Sequence, residues 1–387
     1  MEAPVKVAFI RGNIPNYSHS MTEDSQDRRV WEIGLRTFRS QLPPHADSGD
    51  RAKTFGAGLQ QAEELWRAAE RVDLVARPML LFYGLTQAGR AICAAGPFNK
   101  WRPAQSHGLS FKLERPSSGK DLDFKCVRAE ARGFGLIQQV AKILDSPTID
   151  TSVALSDLLG ALDIELLFDN EYVTAVGPLK VDQYSEILGN FGPPAFPGLI
   201  VGPVPERFTQ ASELVVASEN NVEYMHLIPP SGEELEEWLS VYPKLKSLGM
   251  PTAEFGPEPD VSSLESGEYV IRLKWEGASQ RDDVTQREWT TRRLDVVQSG
   301  NFGNAHGIVL PSIAGNSQPQ KLLITWWLIL YCLSMLARYY PKEWSEILDL
   351  DSSSVAVPLQ ELILAAQSKV PGHIFLSLVD LYDTPYI

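Results

Sequence analysis

Apolar residues recur along the first hundred positions of this chain with the spacing of helices. From Phe55 to Glu70 the residues Leu59, Ala62, Leu65, Trp66 and Ala69 fall on one face, as an amphipathic helix requires. After Arg77-Pro78, a step suited to a first helical turn, the stretch 79–95 places Leu81, Leu85, Ala88, Ile92 and Ala95 at 4-3-4-3 spacing, and Gly96-Pro97 closes it. The same helix carries a second stripe of small residues, Gly84, Ala88, Ala91 and Ala95, which lets another helix backbone approach closely. Upstream, Val5 to Ile10 reads as a short strand. Residues from Ser25 to Arg39 read as a helix closed by Pro43-Pro44.

The period changes after residue 108. Leu109–Leu113 and Phe124–Ala129 are short extended runs around the turn cluster Pro116, Ser117, Ser118 and Gly119, which predicts a hairpin. Thr151 or Ser152 is expected to open a helix carrying Val153, Leu155, Leu158, Leu159 and Leu162. Residues 171–230 alternate short apolar runs with Gly and Pro, which forbids long helices and allows short strands. Ser231-Gly232-Glu233-Glu234 matches a capping box before Leu235, Trp238, Leu239 and Tyr242, with Pro243 as the stop. From Gly267 to Gly277, Tyr269, Ile271, Leu273 and Trp275 alternate with Val270, Arg272 and Lys274, the pattern of a half-buried strand.

Near the C-terminus an uncharged apolar run of 16 residues, Leu322 to Ala337, lies between Lys321 and Arg338. A bilayer-spanning helix needs roughly 20 such residues, so the run predicts a buried core helix, stopped by Pro341. A last helix is expected from about Pro358 to Gln367. The pattern as a whole predicts an α+β fold. Helical parts at 1–108 and 311–387 pack together, and a loop-rich, mainly antiparallel sheet region at 109–310 lies between them, with helices near 152–166 and 231–242.

With 387 residues, 44% of them apolar and 22% charged, the chain has the balance of an ordinary globular protein. A net charge of −14 repels phosphate backbones and anionic lipid, which argues against nucleic acid and membranes as partners. The densest basic stretch, Arg281, Arg287, Arg292 and Arg293, is interleaved with Asp282, Asp283, Glu288 and Asp295 and reads as a solvated surface. Cys93, Cys126 and Cys332 are an odd number at wide spacing, and the start MEAPVKVAFIRGN lacks a secretory apolar core. Both features predict a cytoplasmic protein.

Catalytic and cofactor motifs are few. Gly56-Ala57-Gly58 and Gly133-Phe134-Gly135 lack the third glycine of a dinucleotide fingerprint, and there is neither a P-loop nor a G-x-S-x-G elbow. No cofactor is implied. The six histidines are scattered singly, so no metal site is implied either. An Arg followed closely by His, the pair that HEPN-type ribonucleases use, occurs as Arg102 with His107 and as Arg39 with His45. Both windows hold proline, which opposes the shared helix face this chemistry needs.

Two polar stripes on the most apolar helices are more informative. Tyr83, Gln87 and Arg90 fall at i, i+4 and i+7; Trp327, Tyr331, Ser334 and Arg338 fall at i, i+4, i+7 and i+11. The first could simply face water, and Arg338 could pair with Glu343 or Glu346. The alternative is an interhelical cleft in which both arginines act as charge-assisted donors.

Three segments, RPMLLFYGLTQAGRAICAA (77–95), SHGLS (106–110) and LSMLARYYPKEWSEIL (333–348), resemble in order and spacing the best-marked parts of the bacterial YaaC-like family. The matching positions are Pro78, Leu81, Phe82, Tyr83 and Gly84; His107 and Gly108; and Leu333, Ser334, Met335, Arg338 and Tyr339, with Trp344 beyond. Arg90 stands where such proteins often have lysine. The resemblance spans about residues 55–350, is faint in the Gly/Pro-rich middle, and implies a fold and a compartment while leaving the chemistry open. The Arg102-Pro103 context before His107 departs from the family pattern.

These readings converge on a cytoplasmic regulatory or interaction protein. It is expected to bind a protein partner, a second copy of itself or a small anionic ligand in a cleft lined by Tyr83, Gln87, Arg90, His107, Ser334 and Arg338. The competing expectation is a HEPN-like ribonuclease or other hydrolase, a stress or phage-defence effector, with His107 and Arg102 as its candidate catalytic residues.

Overall fold

The computed structural model describes residues 30–98, 101–102, 104–114, 122–149, 151–162, 232–246 and 321–383. It also describes 177–181, 199–202, 212–217, 222–227, 252–254, 269–274, 298–299, 307–313, 316 and 318–320. The strand expected at Val5–Ile10 and the basic stretch at 281–293 lie outside the described residues. The chain divides into two units, one of 1–175, 301–303 and 320–387, the other of 176–300 and 304–319. The fold is α+β, with helices at both ends of the chain.

In the first unit a π-helical turn (Val30–Leu35) runs into α1 (Arg36–Ser40), followed by α2 (Gly49–Ala69) and α3 (Arg77–Ala95). Next come β1 (Leu109–Leu113), β2 (Val127–Ala131), α4 (Leu136–Ile143), β3 (Val153–Ala154) and α5 (Leu155–Gly160). The distant C-terminal segment closes the unit. The second unit holds β4 (Leu179–Val181), β5 (Leu199–Gly202), β6 (Ser212–Ala217) and β7 (Val222–Leu227), then α6 (Gly232–Leu239) and α7 (Pro243–Lys246). It continues with β8 (Thr252–Glu254), β9 (Tyr269–Lys274), β10 (Gln298–Ser299) and β11 (Gly307–Val309). Back in the first unit are α8 (Leu322–Tyr339), α9 (Pro341–Ile347) and α10 (Ala356–Asp383).

Helix α3 is the centre of the first unit because its small residues admit neighbours on two sides. A Cβ at Gly84 would stand 2.7 Å from the Trp66 ring of α2, and one at Gly58 of α2 would stand 2.8 Å from the Gln87 carbonyl of α3. The small-residue stripe is therefore where α2 seats. On another side Gly89 receives the Trp327 indole of α8, to which a Cβ would come within 2.0 Å. Trp66 and Trp327 are both essentially inaccessible, and burying an aromatic of that size stabilises by about 1.5–3 kcal/mol. The end of α3 and the residues just past it are held by Arg51, which donates to the carbonyls of Ala94 at 2.8 Å, a helix-end group without a helical partner, of Gly96, and of Phe98 at 3.2 Å.

By length and composition α8 and α10 could cross a bilayer, yet 78% and 67% of their most apolar windows are buried inside the protein. That is the condition of core helices. Pro341 does more than stop α8, because it occupies the first position of α9, where its missing N–H costs nothing.

Helix α10 departs furthest from expectation, running to Asp383 through Pro371. Pro371 cannot donate to the Gln367 carbonyl. Trp66 Nε1 donates to that carbonyl at 2.8 Å, so the freed acceptor is satisfied from α2. Trp66→Phe keeps most of the ring but leaves the carbonyl bare. The expected loss is about 1–3 kcal/mol, read as a lower urea midpoint at unchanged slope; an unmoved midpoint would show that the bond contributes nothing.

The first unit's sheet is antiparallel, ordered β1-β2-β3, with Phe111 opposite Ala129 and Ala129 opposite Val153. Val153 and Ala154, expected inside a helix, are strand residues here because β2 offers a free edge. Arg128 fixes their approach by donating to Ser152 Oγ at 2.7 Å and to the Ser152 carbonyl at 2.9 Å. In the second unit an antiparallel six-stranded sheet is ordered β10-β11-β4-β5-β9-β8, and β6 pairs with β7. β9 covers most of the strand expected at 267–277, with Ile271 opposite Ile200, while Trp275 lies outside the described residues. Tyr242 is buried there and donates to the Gly177 carbonyl at 2.8 Å, and burial pushes its hydroxyl pKa far up.

Candidate functional site

Arg338 lies in the last turn of α8, where a cation suits the helix dipole. Its Nε donates to the Ser334 carbonyl one turn back at 3.1 Å. One terminal nitrogen donates to the Tyr83 hydroxyl of α3 at 2.8 Å, and the other reaches Met335 Sδ at 3.1 Å and Ser334 Oγ at 3.4 Å. Ser334 is itself buried and donates to the Tyr331 carbonyl at 2.9 Å. The two polar stripes thus meet at the Arg338–Tyr83 contact.

Phe82 is the apolar hub beneath them. Its ring centroid lies 5.5 Å from Tyr83, 5.2 Å from His107 and 5.5 Å from Tyr331, all tilted, and 5.9 Å from the Arg338 guanidinium. The same guanidinium stands over Tyr83 at 5.5 Å and Tyr339 at 5.3 Å. Contacts of this kind are worth about 0.5–1 kcal/mol each where exposed, so together they fix the position of the charge.

His107 is placed by a backbone clamp. The N–H groups of Leu136 and Ile137 at the start of α4 donate to the carbonyls of Ser106 and His107 at 2.9 and 3.3 Å. Gln138 accepts from the Gly135 N–H at 2.8 Å and donates to the Gly108 carbonyl at 2.6 Å. Gly108 has φ +79°, and a Cβ there would fall 1.9 Å from Gln138 Oε1, so only glycine fits. Burial, then Arg338, then Arg90 lower the pKa of His107 below the usual histidine value. Gly108→Ala is expected to cost about 1–2 kcal/mol from the left-handed backbone alone. It should also bring the His107 titration, followed by NMR, back toward the ordinary value; an unmoved titration would mean that the clamp does not place the ring.

Arg90 donates to the Ala104 carbonyl at 3.2 Å, and its Nε is buried without a partner among the described residues. Neither Arg90 nor Arg338 forms an ion pair among the described residues, and Glu346, one suggested mate of Arg338, pairs with Lys342 at 3.7 Å. The same unit treats other arginines differently. Glu63, buried in α2, is met by Arg36 at 2.6 Å, Arg67 at 3.0 Å and Arg39 at 3.8 Å.

The other candidates stand apart from this cluster. The carbonyl of Gln87 faces α2, and its side chain makes no hydrogen bond among the described residues. Arg102 is exposed on an irregular segment shared with His107, not on a helix. Arg39 lies in α1 and His45 in the 3-10 turn Pro44–Ala46, so neither Arg-His pair occupies one helix face. Phe82, Tyr331 and Tyr339 were not foreseen as site residues. Burial raises the Tyr331 hydroxyl to about 12; its sequence signal was its place in the stripe that Ser334 and Arg338 share. Among the described residues no three His, Cys, Asp or Glu side chains gather as a metal would require.

Fold and site together define an α+β protein of two units, whose helical unit carries an arginine and a histidine packed on aromatic rings, with a second arginine, Arg90, acting on the same histidine. A family model for YaaC-like protein matches residues 35–378, and the chain belongs to that family. No curated protein and no solved structure matches it.

Proposed function

We propose that this chain is a cytoplasmic regulatory or interaction protein that binds an anionic group of a partner or small ligand on Arg90, His107 and Arg338. The observation that carries this reading is a mismatch of charge: two arginines act on one half-buried histidine, and their partners among the described residues are neutral. A cation held by a hydroxyl, a carbonyl and ring faces keeps unused N–H donors, which a carboxylate or phosphate satisfies with short, charge-assisted bonds. An anion placed there also favours protonation of His107, so binding should tighten as pH falls.

Equilibrium dialysis with inorganic phosphate tests the reading. Arg90→Gln and Arg338→Gln are each expected to weaken binding by at least about tenfold, since a hydrogen bond to a charged group contributes about 1.5–3 kcal/mol. Urea midpoints should show only the modest fall that loss of each arginine's contacts to neutral groups implies. Undiminished phosphate binding in the double variant would end the proposal. RNA cleavage abolished by His107→Ala would instead favour the hydrolase reading.

A further inference from the structure

Among the described residues three aromatic side chains stand out to solvent: Tyr83 at 37% exposure, Tyr339 at 63% and Phe134 at 68%. Tyr83 and Tyr339 flank Arg338. Phe134 directly precedes Gly135, whose backbone lies against His107 and Gly108 so closely that a Cβ would be 2.7 Å from the His107 carbonyl carbon. Single exposed apolar residues need no explanation. Exposed rings on either side of Arg338, an arginine without a carboxylate partner among the described residues, form a surface that is both cationic and able to stack.

We infer that the anionic ligand is a mononucleotide, its phosphate on Arg338, Arg90 and His107 and its base laid on Tyr339. The inference rests on the anion-binding reading above and goes beyond it in naming the ligand. Phosphate suits the cluster better than carboxylate because its oxygens point in several directions and satisfy donors arriving from two helices and a loop. Tyr339 is held at Arg338 and remains largely exposed, so a base adds to a stack the protein has already ordered. Every nucleobase has a π-face, and stacking therefore does not select among them. The net charge of −14 disfavours a long polyanion and leaves a small phosphate ester as the fitting occupant.

Isothermal titration of the full chain with the four common ribonucleoside monophosphates, inorganic phosphate and a single-stranded decanucleotide decides the matter. A monophosphate should bind about tenfold or more tighter than inorganic phosphate, the scale of one stacked base. Tyr339→Leu should bring the monophosphate down to the affinity that the same variant shows for inorganic phosphate. Equal affinity for nucleotide and phosphate, or indifference to Tyr339→Leu, would overturn the nucleotide inference while phosphate binding sensitive to Arg338→Gln kept the anion site. Binding of no phosphate species would overturn both, and a preference for the decanucleotide would overturn the mononucleotide.

Discussion

Gly89→Val is expected to destabilise the first unit by on the order of 3 kcal/mol, the upper part of the range for overpacking a well-filled core. At Gly89 even a Cβ would lie 2.0 Å from the Trp327 indole. That ring is fully buried on a helix whose other residues are almost all inaccessible, so it has nowhere to retreat. The two remaining methyl groups of valine make the conflict worse. Gly56→Ala supplies the contrast: it too is a helical glycine, but nothing lies within 4 Å of an added Cβ, and the gain in helix propensity should stabilise by about 0.5–1 kcal/mol. Urea denaturation of the two variants beside wild type gives the signs. Gly89→Val at wild-type stability would mean that α3 and α8 do not pack at this point.

Acidification should cost the protein stability between about pH 6.5 and 4 through His373. This residue of α10 is buried, its Nε2 has no partner among the described residues, and burial, aided by Lys369, lowers its pKa to about 4. The unfolded chain takes up its proton near pH 6.5. In that window the unfolded state binds more protons than the folded one, so stability rises with pH. The contribution is complete above the unfolded value, is lost as pH falls toward 4, and is constant below that. Two and a half pH units correspond to on the order of 3 kcal/mol. His373→Gln should flatten the slope of the urea midpoint against pH over this interval. An identical slope in the variant would assign the acid sensitivity to other groups.

Legibility in the sequence followed the range of the interactions. Helix α3 and its small stripe could be read because helical period, Pro78 at the start and Gly96 after the end are local signals. The meeting of Tyr83 with Arg338 was readable as two stripes, since polar side chains on apolar helices need common ground. Phe82 could not be separated from ordinary core aromatics, because only the fold puts His107 and Tyr331 beside it. The β3 pairing of Val153 was hidden for the same reason: a two-residue strand exists only where another strand offers it an edge. The continuation of α10 past Pro371 was illegible because its explanation, Trp66, lies 301 residues away from Gln367. Gln87 failed to join the cluster because its polar spacing coincided with the seat of α2.

That distance also bears on how the protein is made. A ribosome delivers α2 and α3 first, yet the carbonyl that receives the Trp66 indole and the indole that fills the notch at Gly89 emerge only hundreds of residues later. Until then the nascent chain carries a glycine-lined trough without its occupants, and loop closure over hundreds of residues must precede any reward for filling it. Translation that stops short of residue 371 leaves the N-terminal helices waiting, with their apolar sides open to chaperones or to one another.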